Sequence, residues 1–106
     1  MSGTPEQVVA YALLRACALA CDSVDRVEAP GQQRAGLAVA DIAMAAVLGA
    51  CGHLGAAPSS LAHDLDKALR CIAVARCPRH RSDMARLALE AGEALRHAAD
   101  IVEGLS

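Results

Sequence analysis

The sequence predicts an all-α fold, an antiparallel up-down-up-down four-helix bundle formed as one domain by residues 1–106. Hydrophobic residues make up 55% of the chain, with 25 alanines and a single aromatic residue, Tyr11. Alanine is the best helix former, and the β-branched and aromatic residues typical of strands are scarce. Proline, glycine and serine divide the chain into four segments of similar length joined by short turns, which is the pattern of such a bundle.

The first helix is expected over about residues 5–28. Thr4 can cap it, Pro5 occupies the first helical position, and Gln7 completes a capping box. The segment then continues without a helix breaker until Pro30, which disfavours helical geometry in the residue before it.

The second helix is expected over about residues 33–53, with Gly55 as its C-terminal cap. The third is expected over about residues 60–77, with Ser59 or Ser60 as its N-terminal cap. Apolar residues recur in the third helix at helical spacing and predict its buried stripe. They are Leu61, Leu65, Ala68, Ile72 and Ala75.

The fourth helix is expected over about residues 82–103, with Ser82 as its cap. It has the clearest amphipathic pattern, because charged residues occupy the side opposite its apolar stripe. That stripe comprises Met84, Leu87, Ala91, Leu95, Ala98, Ile101 and Leu105. The first two helices are apolar over more than half of their circumference. They are therefore expected to be the most buried pair or to carry a second interface.

Charge and composition exclude several classes of function. Ten basic and twelve acidic residues are well mixed and give a net charge of −2, so the basic surface of a nucleic-acid or membrane-surface binder is missing. The start of the chain lacks the pattern of a secretory signal. The most hydrophobic window, residues 35–52, contains Asp41, so no membrane span is expected. The sequence thus favours a cytoplasmic location, where five cysteines stay reduced.

Four of the five cysteines are expected to meet at one end of the bundle. Cys17 and Cys21 are one turn apart, so their thiols share a face of the first helix. Antiparallel folding brings Cys71 and Cys77 of the third helix to the same end, with Met44 nearby. Thiolate and thioether ligands suit Cu(I), and thiolates with an imidazole suit zinc. One hypothesis is therefore a Cu(I) or zinc site, with His80 as an optional ligand.

The alternative is that these cysteines are small apolar core residues, which is common in tightly packed proteins. Cys71 and Cys77 are six residues apart and point about 120° away from each other on an intact helix. No Cys-x-x-Cys motif is present. The proposed thiol cluster is similar in principle to cytosolic copper-storage bundles, although those proteins use more cysteines, spread over all four helices.

Asp41 is a charged residue on an otherwise apolar stripe of the second helix. It falls on a stripe formed by Leu37, Met44, Leu48 and Cys51, where a carboxylate is costly unless it is paired. We expect a buried structural ion pair with Arg15 or Arg70, and a role in proton transfer is the alternative.

No pattern of catalytic residues stands out. The chain lacks inward Glu-x-x-His pairs, a phosphate-binding loop and a nucleophile elbow. The sequence therefore favours a non-enzymatic module that acts by self-association or by binding a larger protein. Soft-metal binding is the alternative.

Overall fold

Four α-helices account for nearly all of the computed structural model, which describes residues 3–55, 57–77 and 83–105. They are α1 (Pro5–Arg26), α2 (Pro30–Cys51), α3 (Ser59–Ala75) and α4 (Met84–Gly104). The described residues contain no strand, which confirms the all-α class. Two predictions, Ser82 as a helix cap and His80 as an optional ligand, fall outside the described residues.

The start of α1 agrees with the sequence in detail. The Thr4 side-chain oxygen accepts a hydrogen bond from the Gln7 backbone N–H at 3.2 Å, and the Gln7 side chain accepts one from the Thr4 N–H at 3.1 Å. This reciprocal pair satisfies two N–H groups that a helix start leaves open. The helix ends at Arg26, two residues before the expected boundary, because Val27 adopts an extended conformation.

The predicted bounds of the second helix are wrong at both ends. α2 begins at Pro30, because proline has a helical φ and its missing N–H costs nothing at the first helical position. Ala29 is extended, as the residue before a proline prefers. The helix ends at Cys51, so Gly55 is not its cap. Gly55 instead has a φ of +76° in the following connection, a conformation that favours glycine.

The third and fourth helices differ from expectation mainly at their ends. α3 begins at Ser59, and Pro58 occupies its N-cap position without a capping side chain, so the prediction that Ser59 or Ser60 caps it is wrong. α3 ends at Ala75, two residues early, and α4 begins at Met84, two residues late.

The helices pack unequally around an alanine-rich core. α1 packs closely against α2 and α4, and α3 packs closely against α4, whereas α2 and α3 touch only lightly. Ten residues of α4 are buried but only four of α2, so the first of the two alternatives for α1 and α2, that they are the most buried pair, is wrong. Helix α4 lies between two close neighbours, and its many alanines let both approach. The predicted stripe of the third helix is buried throughout.

Candidate functional site

Cys17 and Cys21 form a fully buried thiol pair on the inner side of α1. The Cys17 S–H group donates to the backbone carbonyl of Ala40 in α2 at 3.5 Å. The hydrogen bond from Cys21 to Cys17 lowers the pKa of the Cys17 thiol. The same hydrogen bond, together with burial, raises the pKa of the Cys21 thiol. Cys17 is therefore the thiol of this pair that ionises first.

The other predicted ligands lie on different elements. Cys71 lies at the contact between α3 and α4, where its thiol is 3.8 Å from the Glu90 carboxylate. Met44 is fully buried in α2, and Cys77 is partly exposed beyond the end of α3. Within residues 3–55, 57–77 and 83–105, no three His, Cys, Asp or Glu side chains are grouped so that they could hold a metal ion.

Two thiols, the buried Cys71 and the partly buried Cys51, make the stability of the fold sensitive to alkaline pH. Burial and the Glu90 carboxylate raise the pKa of the Cys71 thiol above 9.0, and burial raises the pKa of Cys51. Each thiol stays protonated in the folded chain at a pH where the unfolded chain has already released the proton. The stability that these two thiols contribute is therefore fully present below about pH 9. It is lost as pH rises further, by up to about 1.4 kcal/mol per pH unit for each thiol.

We expect urea unfolding under reducing conditions to show this loss between pH 9 and 10, and the Cys71→Ala variant to show a smaller loss. The Cys77→Ala variant is the matched control, because Cys77 is partly exposed. An equal pH dependence in all three proteins would contradict the assignment.

Asp41 forms an ion pair, but neither its partner nor its burial is as predicted. Its carboxylate lies 2.5 Å from the Arg76 guanidinium, and the two side chains are 41% and 45% exposed. Arg15 is exposed, and Arg70 pairs with Asp66 within α3. The prediction of a buried pair with Arg15 or Arg70 is therefore wrong. Asp41 reaches Arg76 at the end of α3, where α2 and α3 touch only lightly, so its carboxylate stays partly exposed.

A second ion pair joins α1 to α4 and was not predicted. The Arg96 guanidinium lies 2.6 Å from Asp22 Oδ2. The other carboxylate oxygen, Oδ1, is buried without a hydrogen-bond partner. It lies against Gly92, where a Cβ atom would come within 2.6 Å of it. Close packing at this point thus requires glycine on α4.

Asp64 and His97 link α3 to α4. Asp64 is only 8% exposed, and one of its carboxylate oxygens is hydrogen-bonded to Nδ1 of His97. The His97 side chain is 64% exposed. The sequence did carry a signal for Asp64, because it lies three residues after Leu61 and four before Ala68, on the buried stripe of α3.

The outward sides of α1 and α2 carry an apolar surface. Large side chains are widely exposed there, including Leu19 (63%), Val39 (57%) and Ile42 (73%). Leu48, predicted to be buried, is 41% exposed. The residues recur every three or four positions, so they form one face of each helix. We call this surface the outer face: Val9, Ala12, Ala16 and Leu19 of α1, and Ala35, Val39, Ile42, Ala46 and Gly49 of α2.

The outer face continues from one helix to the other. Val9 of α1 lines an open apolar groove of about 210 Å³ together with Ala50 of α2 and His53, which follows the end of α2. The charged residues Arg34 and Asp41 of α2 lie beside the face by their helical positions, and the exposed Arg15 and Arg26 lie along its edge on α1. The outer face is therefore a surface on which apolar groups of two adjacent helices are exposed together.

By length and composition alone, α1 and α2 are also apolar enough to cross a membrane. Core helices of soluble proteins pass the same test. Only 33% of the most apolar window of α1 and 28% of that of α2 is buried within the fold. Most residues of both apolar windows therefore lie outside the buried core.

Comparison with known proteins found no match: no family model, no curated protein and no solved structure resembles the chain.

Proposed function

We propose that this chain is a small cytoplasmic, non-enzymatic helical module that acts by associating through its outer face, with itself or with a larger protein. The observation that carries this proposal is the exposure of Leu19, Val39 and Ile42 on two neighbouring helices. Contiguous exposed apolar surface of this kind marks interaction sites on soluble proteins. Burying it releases water from apolar groups, which is the main driving force of association.

We also propose that the helices follow the antiparallel up-down-up-down order. Two contacts between α1 and α2 support this order. The Cys17 thiol is hydrogen-bonded to the Ala40 carbonyl, and Val24 lies against Gly36. Residue numbers therefore increase along α1 as they decrease along the facing part of α2, so the two helices are antiparallel. For α3 and α4, the pairs Asp64–His97 and Cys71–Glu90 run in the same opposed sense.

Association is tested by sedimentation equilibrium across a concentration series. We expect the mass of the wild-type protein to rise with concentration, because each complex buries the outer face. The variant Val39→Glu is expected to weaken association at least tenfold, since it places a carboxylate in the apolar interface.

The matched control is Val74→Glu, because Val74 is an exposed valine of α3 outside the outer face. It should associate as the wild type does. A wild-type protein that stays monomeric at high concentration, with no larger protein bound through this face, would refute the proposal. Equal effects of the two substitutions would also count against the outer face.

Soft-metal binding is the second candidate function, and the Cys17–Cys21 pair favours it. Two adjacent thiols in a dry, apolar environment match the preference of Cu(I) for sulfur ligands. In this proposal Met44 supplies a thioether, and Cys71 of α3 and Cys77, just beyond the end of α3, complete the ligand set. Zinc is the other metal considered for the same cysteines.

Titration of the reduced protein with Cu(I) against a chromophoric chelator tests this second function. We expect the wild type to withdraw Cu(I) from the chelator and the Cys17→Ala/Cys21→Ala variant to lose that ability. The Cys51→Ala variant is the control, since Cys51 lies outside the proposed ligand set. If the wild type fails to compete, the site does not bind copper, and zinc titration with a competing dye decides the remaining case.

A further inference from the structure

We propose that the occupant of the outer face is a second copy of this chain, related by a two-fold axis beside Ile42 so that each α2 lies antiparallel to the other. The inference rests on the proposed function, because it names the partner for the same surface. It is carried by the size of the surface, its lack of charge and the order of large and small side chains along α2.

The available area fits a dimer that uses both helices. Each of α1 and α2 has 22 residues and is therefore about 33 Å long, and packed helices lie 8–10 Å apart. Over their full lengths, which extend beyond the outer face at both ends, the two helices together present a flat area of about 600 Å² per copy, or about 1,200 Å² for two copies. That is the lower end of the range for specific interfaces. One helix alone would supply only half of this area, so α1 and α2 must act together.

The order of side-chain sizes makes the face complementary to itself. Val39 and Ala46 are seven residues apart and lie on the same side of α2. With the axis beside Ile42, Val39 of each copy lies over Ala46 of the other, so a large side chain meets a small one twice. Alternating large and small residues across facing positions is how helices interdigitate.

The same axis suits α1. The hydrogen bond from Cys17 to the Ala40 carbonyl places Ala16 at the level of Ile42, within about one residue. Ala16 of one copy then lies over Ala16 of the other, and the small side chains let the two α1 helices approach. Val9 meets the small residue Ser23 further along.

The lack of charge argues for an identical partner. The named residues of the outer face are uncharged and the exposed Arg15 and Arg26 lie along its edge on α1, so a second outer face brings no unpaired charge into the centre of the interface. Symmetric two-fold dimers are also the commonest assemblies of soluble proteins.

Disulfide cross-linking tests the arrangement in a Cys51→Ser/Cys77→Ser background, which removes the partly exposed thiols. Ile42→Cys is expected to give a covalent dimer on mild oxidation, because its two copies lie beside the axis. A mixture of Val39→Cys and Ala46→Cys chains should cross-link, whereas each variant alone should not, since its two copies are about 10 Å apart along the helix. Ala73→Cys, on the exposed side of α3, is the control and should stay monomeric.

The outcomes separate this inference from the proposed function. If sedimentation shows a dimer but Ile42→Cys does not cross-link, the face associates in another register and the inference is wrong. Cross-linking of Val39→Cys alone would indicate parallel helices and overturn it as well. If the protein is monomeric and instead cosediments with phosphatidylcholine vesicles, the occupant is a lipid surface, and both proposals fail.

Discussion

Replacing Gly92 by alanine is expected to destabilise the protein by about 1–2 kcal/mol, although alanine normally stabilises a helix. The new Cβ atom would lie 2.6 Å from Asp22 Oδ1 and 3.2 Å from the Arg96 guanidinium. Neither group can move freely, because Asp22 Oδ2 is held at 2.6 Å by Arg96 and Oδ1 is buried. Overpacking of this kind costs about 1–3 kcal/mol and outweighs the gain in helix propensity, about 1 kcal/mol. Urea denaturation measures the change.

Two further variants isolate the cause. Gly49→Ala is the matched control: Gly49 lies inside α2 with no atom near the position of a Cβ, so the change should stabilise the fold by about 0.5–1 kcal/mol. The measurement belongs at a protein concentration where the chain is monomeric, since Gly49 is part of the outer face. In the Asp22→Ala background, Gly92→Ala should also become stabilising. If it stays destabilising there, the contact with Asp22 is not the reason for glycine.

The sequence predicts correctly those structural features that depend only on residues close together in the chain. The capping box of Thr4 and Gln7 and the buried stripe of α3 are confirmed, because both depend only on spacing within one helix. The all-α class follows from composition in the same way. The predicted start of α2 is wrong because proline, which breaks the interior of a helix, is also a common first residue of one.

Features that depend on how helices meet were not predictable from one helix at a time. Asp41 lies on an apolar stripe of α2, yet the light contact with α3 leaves it half exposed and within reach of Arg76. The need for glycine at position 92 arises only where α1 crosses α4 closely. The sequence predicts a surplus of apolar surface on the first two helices. Only the structure places Val39 and Ile42 at its exposed side.

Removing His97 is expected to destabilise the protein by about 2 kcal/mol, because it leaves the buried Asp64 carboxylate without this partner. A buried acceptor that loses its hydrogen bond costs about 1–3 kcal/mol. His97 itself is 64% exposed, so the loss of its own packing contributes little. The variant His97→Ala and urea denaturation test this expectation. His63→Ala serves as the matched control, because His63 is an exposed histidine of α3, and its removal should change stability by less than about 0.5 kcal/mol.

A double-mutant cycle separates the pair from its surroundings. Asp64→Ala should cost less than His97→Ala, because the histidine it leaves behind is exposed and can bond to water. In the Asp64→Ala background, His97→Ala should have almost no further effect, since no buried carboxylate remains to be left unpaired. If the two substitutions were additive, each side chain would be acting on its own, and the contact between α3 and α4 would not depend on this hydrogen bond.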